Sequence, residues 1–167
     1  MYAYVGGNPV NYTDPWGLRI RISDQSGRSH DINPNRVVGM AIVQIMNNPE
    51  LKGWFDSMLA KKGETISNIL TGKHDVTLTI YPGGLSDFIG ETRCDGFFPE
   101  TRNDIPNMSI GLNADVFDYS WWHTDAGDEQ NAASWFIHEL GHYVDAYTLD
   151  KNPGIETGEH LETLIKW

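Results

Sequence analysis

The chain has little cysteine, few basic residues and no long apolar run, and each shortage excludes a class of protein. Cys94 is the only cysteine among 167 residues, so an internal disulfide and a cysteine-based zinc site are both excluded. Lys and Arg number 12 against 23 Asp and Glu, which gives a net charge of -11. Nucleic acids and anionic membranes attract basic surfaces, so neither is an expected partner. No apolar stretch has the length of about 18 residues that a membrane span needs, so no span is expected.

What the chain does contain is the pentapeptide His138-Glu139-Leu140-Gly141-His142. Residues four apart share one face of a helix, so His138 and His142 can hold one Zn²⁺ between their imidazole rings. This H-E-x-x-H pattern is typical of zinc hydrolases, in which the pKa of a metal-held water falls to about 7. Glu139 is predicted to be the general base that takes a proton from that water.

The residues around the pentapeptide predict a buried helix. Apolar side chains surround the motif on most sides of this helix: Trp135, Phe136, Ile137, Leu140, Tyr143, Val144, Ala146 and Tyr147. Two histidines and a glutamate on a buried face need partners, and a metal ion supplies them. A chance copy of the pentapeptide on a solvated or core helix is the alternative.

A zinc site of this kind needs a third protein ligand. In metzincins the motif is followed by a glycine three residues after its last histidine and by a further histidine three residues later. Here Asp145 and Thr148 occupy those two positions, so the metzincin class is disfavoured. Asp145 is instead predicted to orient a metal ligand. Downstream, the chain returns as a short amphipathic helix over residues 155–165, in which Glu162 is the favoured third ligand. The alternatives are Glu159, Glu156 and His160.

Glu162 follows His142 after 19 intervening residues, which resembles the spacing in thermolysin-type gluzincins. The carboxylate that those enzymes carry four positions later is replaced here by Lys166. The group that stabilises the oxyanion stays open among Tyr143, Tyr147, His123 and His160.

Helix-capping residues and the alternation of polar and apolar residues predict the elements that precede the motif helix. Residues 19–32 suggest a hairpin broken at Gly27, with His30 exposed on a strand. Asn33-Pro34 opens a helix that ends near Asn48, and Pro49 opens a second helix that stops at Gly63.

Two further strands and the motif helix complete the secondary structure that the sequence predicts. The strands are expected at residues 76–81 and 107–112, joined by a long loop over 82–106 that could line a substrate cleft. Cys94 lies in this loop and is expected to be a bystander. The motif helix is expected to start at Asp128 or Glu129 and to run to about Asp150.

Residues 2–18 carry a specific resemblance. They match the end of the Rhs (YD-repeat) core at eight positions, namely Tyr2, Tyr4, Asn8, Pro9, Asp14, Pro15, Gly17 and Leu18. In that family the motif marks the junction between a β-repeat shell and a variable C-terminal toxin, commonly released by self-cleavage. The resemblance implies a junction segment at residues 1–18, a toxin domain at 19–167, a cognate immunity protein, and delivery by the Rhs shell and a secretion apparatus such as type VI secretion.

We therefore expect an α+β, zincin-like domain with a small, mostly antiparallel sheet and a buried H-E-x-x-H helix. In zincins an edge strand aligns a peptide substrate, a role that residues 107–112 are predicted to fill. The expected function is that of a zinc metallopeptidase toxin that cleaves a protein in the target bacterial cell, most simply in its cytoplasm. Two alternatives stay open: a zinc hydrolase of a non-protein amide such as peptidoglycan, and a zinc-stabilised binding module without catalysis.

Overall fold

The computed structural model describes residues 20–73, 76–82, 90–94, 108–119, 128–148 and 156–167. Four strands are present among them: β1 (Arg21–Asp24), β2 (Val76–Tyr81), β3 (Gly90–Cys94) and β4 (Met108–Asn113). The longer helices are α1 (Pro34–Asn47), α2 (Pro49–Leu59), the motif helix (Asp128–Thr148) and the C-terminal helix (Glu156–Leu164). Shorter helical turns lie at Ala60–Lys62, Ile66–Asn68, Ile69–Lys73 and Ala114–Phe117. This mixture of helix and strand confirms the coarse fold class, whereas the predicted junction at residues 1–18 lies outside the described residues.

The caps that predict α1 and α2 are formed as expected. The Asn33 side chain accepts a hydrogen bond from the backbone N–H of Asn35, with Pro34 at the first helical position. Asn48 caps α2 in the same way, by accepting from the backbone N–H groups of residues 50 and 51. Gly63, with φ of 70°, ends this region in the left-handed conformation that glycine adopts without strain.

The sheet is mostly parallel, and the prediction of a mostly antiparallel sheet is wrong. The strand order is β1-β2-β4-β3, in which β1 pairs with β2 and β2 with β4 in parallel. Only β3 runs antiparallel, against β4. The helices α1 and α2 lie between β1 and β2 in the chain, and such a long connection allows parallel pairing where a tight turn would not.

The edge strand also differs from the prediction. The strand predicted at residues 107–112 is present as β4 (Met108–Asn113), but β4 is central, between β2 and β3, so it has no free edge for aligning a substrate. The two edge strands are β1 and β3, and β3 lies inside the stretch predicted as a loop. The sequence Gly90-Glu91-Thr92-Arg93-Cys94 has no apolar alternation, and its strand state depends on pairing with β4.

The predicted hairpin over residues 19–32 is also wrong. β1 pairs with β2, and further along the chain the backbone N–H of Ile32 donates to the carbonyl of Phe117 at 2.8 Å. His30 is not exposed: its side chain is only 6 % accessible, lies against the Phe117 ring and contacts the Asp24 carboxylate at 2.8 Å. The two-residue alternation therefore predicted the wrong partner, because β1 pairs with a strand that is distant in sequence.

The motif helix packs into the main core and is its most central helix. It contacts α1, α2, β3, β4 and the C-terminal helix. Its fully buried side chains include Phe136, Ile137, Leu140, Tyr143 and Val144, as the apolar pattern predicts. Within the described ranges, no helix combines the length and apolar character that crossing a bilayer requires.

Candidate metal centre

The His138–His142 pentapeptide lies in the second half of the motif helix, and buried apolar residues flank it on both sides. Ile137 and Leu140, on either side of Glu139 in sequence, are fully buried. Glu139 itself is 4 % exposed, whereas the two histidines keep some solvent access. A helix fixed by core packing over several turns places these side chains with little freedom, which favours a preformed site.

The two imidazoles face one another through the same ring atom. The Nε2 atoms of His138 and His142 lie 3.0 Å apart, and the rings meet edge to face. Glu139 joins them in a group whose potential ligand atoms all lie within 4.8 Å of one another. Two nitrogens on one tetrahedral Zn²⁺, each at about 2.05 Å, lie about 3.3 Å apart. The donor atoms therefore fit a zinc ion after a small outward movement of the rings.

His138 has a defined contact at its other ring nitrogen. Its Nδ1 lies 2.7 Å from Oε1 of Glu162, which is carried by the C-terminal helix. An ionised carboxylate only accepts hydrogen bonds, so in the neutral form of His138 this contact requires the proton on Nδ1 and leaves the lone pair on Nε2. The Trp135 ring, 5.1 Å away between centroids, lies against the His138 ring and limits its rotation. His138 is therefore held with Nε2 available as a ligand atom.

The environment of His142 favours its neutral form. Burial and the nearby His138 both lower the pKa of His142, and the buried carboxylate of Asp145 opposes them only in part. Neutral imidazole is the form that binds a metal ion. The orienting role of Asp145 stays a prediction.

The candidate third ligands have different positions. Glu162 reaches the site, but it does so at Nδ1 of His138 and not at the facing Nε2 pair. Its predicted role as a direct ligand stays a prediction. His160 is exposed on the same helix, and the side chains of Glu156 and Glu159 lie outside the described part of the chain.

The candidates for the group that stabilises the oxyanion also differ in their positions. Tyr143 is fully buried in the core and stacks on Tyr147 at 6.2 Å between ring centroids. The pKa of Tyr147 is raised, first by burial and then by the charge of Glu64. His123 lies outside the described residues. That group stays unassigned among these residues.

Two features of the site were missed in the sequence. One is the contact of Trp135 with His138, which the spacing of three residues on one helix face could have indicated. The other is the anchoring of the C-terminal helix by residues far away in sequence, for which the sequence holds no local signal. The Trp167 indole N–H, for example, donates to Oγ of Ser134 at 2.9 Å.

Comparison of the chain with protein-family models, with curated proteins and with solved structures finds no match. The function is therefore proposed from the residues and geometry of the chain itself.

Proposed function

We propose that this chain is a zinc-dependent metallopeptidase that acts as a toxin in a target bacterial cell. The observation that carries the proposal is the facing pair of Nε2 atoms on His138 and His142, with the carboxylate of Glu139 beside them on a buried helix. Two imidazole nitrogens that face one another at this distance, with a carboxylate beside them, form the kind of donor set that binds zinc in zinc hydrolases.

The chemistry divides among the three motif residues. His138 and His142 hold the zinc ion through Nε2. When bound, the ion supplies Lewis acidity, which lowers the pKa of water to about 7 and polarises the scissile carbonyl. Glu139 accepts the proton of the attacking water and later donates it to the amine that leaves when the C–N bond breaks.

The toxin part of the proposal is supported by the Rhs junction motif at residues 2–18. On this basis the substrate is a protein of the recipient cell, the chain is delivered with the Rhs shell through a secretion apparatus, and a cognate immunity protein protects the producer. The acidic net charge of -11 suits a basic partner surface and gives no support to a nuclease.

Zinc content and growth inhibition together test the proposal. The wild type and Glu139→Gln are produced in the cytoplasm of a susceptible bacterium. Both should bind about one zinc ion, and only the wild type should stop growth, because glutamine keeps the shape but cannot take a proton. Glu129→Gln is the matched control, since Glu129 lies on the same helix but pairs with the exposed Arg36. It should remain toxic.

Two results would contradict the proposal. The first is a wild type that binds no zinc. The second is a Glu139→Gln variant that kills as well as the wild type, which would favour a binding module in which the cluster only supports the fold.

A further inference from the structure

We propose that Glu162 is a positioning residue for His138, acting as its outer hydrogen-bond acceptor and not as the third metal ligand. This inference rests on the proposed zinc site and assigns a role within it. It differs from the role that the spacing in the sequence predicts for the same residue.

The first support is the geometry of the His138 ring. Nδ1 and Nε2 lie on opposite sides of an imidazole, and Glu162 occupies the Nδ1 side at 2.7 Å, while His142 occupies the Nε2 side at 3.0 Å. A metal ion held by both Nε2 atoms is therefore separated from Glu162 by the ring itself. Glu162 cannot bind that ion without leaving the contact that it makes.

The second support is the chemistry of the contact. Histidines that bind metals commonly donate their other N–H to a carboxylate, which fixes the tautomer and raises the basicity of the binding nitrogen. His138 is 12 % exposed, so its orientation depends on protein groups more than on water. The Glu162 carboxylate is 46 % exposed, so solvent screens part of its charge and its effect falls at the lower end of the usual range.

The third support is the anchoring of the C-terminal helix, which carries Glu162. Leu161, the preceding residue, is fully buried. After the helix, the Leu164 carbonyl accepts from Nδ2 of Asn48 at 2.7 Å, and the Trp167 indole N–H donates to Ser134. The backbone carbonyl of Lys166 also accepts from the side chain of Gln44, and Nζ of Lys166 pairs with Glu50 at 2.6 Å. These contacts join the helix to α1, α2 and the motif helix, so the register of Glu162 against His138 is fixed from several sides.

The test measures zinc affinity and the state of the His138 ring in the full chain. Zinc dissociation constants are obtained by competition with a chelator for the wild type, Glu162→Gln, Glu162→Ala and His142→Ala. Loss of an outer partner typically weakens metal binding by 10- to 100-fold. For Glu162→Ala we expect about a tenfold loss, and for Glu162→Gln a smaller one, because its amide oxygen still accepts the Nδ1 proton. His142→Ala removes a ligand and should lose far more.

The spectroscopic readout is the ¹⁵N resonance of the His138 ring in the zinc-loaded protein. The wild type should show a protonated Nδ1 whose proton exchanges slowly with water. Glu162→Ala should keep Nε2 on the metal but let that proton exchange faster. Thr163→Ala is the structural control, because Thr163 follows Glu162 on the same helix and its hydroxyl donates only to the carbonyl of His160 within that helix. It should leave the Nδ1 proton in place.

The outcomes separate this inference from the proposed function. If Glu162→Gln loses as much affinity as His142→Ala, Glu162 is a direct ligand and the inference is overturned. An unchanged affinity and an unchanged ring signal in Glu162→Ala would overturn it as well. In both cases a wild type that binds zinc leaves the proposed function standing, whereas a wild type without zinc binding overturns both.

Discussion

Glu162 contacts Nδ1 of His138 at 2.7 Å although 24 positions separate the two residues in the chain. The contact connects the two helices that form the candidate metal centre. The motif helix carries both histidines and Glu139, and the C-terminal helix carries the Glu162 carboxylate that contacts the His138 ring. The centre is therefore a product of helix packing as well as of the pentapeptide.

Zinc is expected to stabilise the fold, because a ligand that binds only the folded chain raises its free energy of unfolding. At a free zinc concentration 100 times the dissociation constant, the gain is about 2.7 kcal/mol. For a domain of this size this is roughly 5–10 °C in melting temperature. Calorimetry with zinc or with a chelator should show this shift in the wild type and in Glu139→Gln. His142→Ala should show little or none, and an equal shift in that variant would place the metal elsewhere.

Asn48 is expected to matter more than Asn33, although both cap a helix that begins with proline. Asn33→Ala removes a cap, for which we expect a cost of about 1 kcal/mol. Asn48, only 7 % exposed, also donates to the Leu164 carbonyl, so Asn48→Ala should cost about 2 kcal/mol. Chemical denaturation gives both values. Asn48→Ser keeps a capping oxygen and loses the amide donor, so it should fall between wild type and Asn48→Ala; a value equal to wild type would mean that the link to Leu164 contributes nothing.

Asp24 gives the fold a dependence on acid pH. Burial tends to raise the pKa of Asp24, but the hydrogen bonds from Ser26 and the contact with His30 lower it below its ordinary value of 3.8. Because the folded pKa is the lower one, the charged form contributes stability above pH 3.8 and the contribution is lost as the pH falls through the folded pKa. Asp24→Asn should therefore be less stable than wild type near neutral pH, and the difference should shrink in acid.

Urea unfolding from about pH 6 to about pH 3 measures this difference. Ser26→Ala is the matched variant, since it removes a hydroxyl that donates to Asp24 at 2.6 Å and leaves the carboxylate in place. It should lie between the other two proteins. A difference between wild type and Asp24→Asn that stays constant over the whole range would contradict the assignment.

The sequence predicted the parts of this fold that depend on local chemistry. The caps at Asn33 and Asn48, the stop at Gly63 and the motif helix all depend on residues within a few positions of one another, and the structure confirms them. The pairing of strands depends on distant partners. The two-residue alternation in β1 fits a neighbour on either side, and parallel pairing with β2 is possible because the long connection through α1 and α2 joins the two strands.

In the candidate metal centre, too, some features depend on local spacing and others on contacts between residues far apart in the sequence. Spacing alone placed His138 and His142 on one helix face with Glu139 beside them, and it brought Glu162 into range. Which nitrogen of His138 the carboxylate approaches is a matter of the angle and register between two helices. Those are set by contacts such as Trp167 with Ser134 and Asn48 with Leu164, which no local pattern encodes.

The most direct test of the central claim is a search for new protein N-termini made by the zinc-loaded chain. Wild type and Glu139→Gln are each added to a lysate of a susceptible bacterium, and free N-termini are labelled and identified by mass spectrometry. The account predicts new internal N-termini with the wild type, none with Glu139→Gln, and their loss when zinc is chelated. A folded, zinc-loaded and toxic wild type that produces no new N-termini would contradict peptide-bond hydrolysis and favour a non-protein substrate.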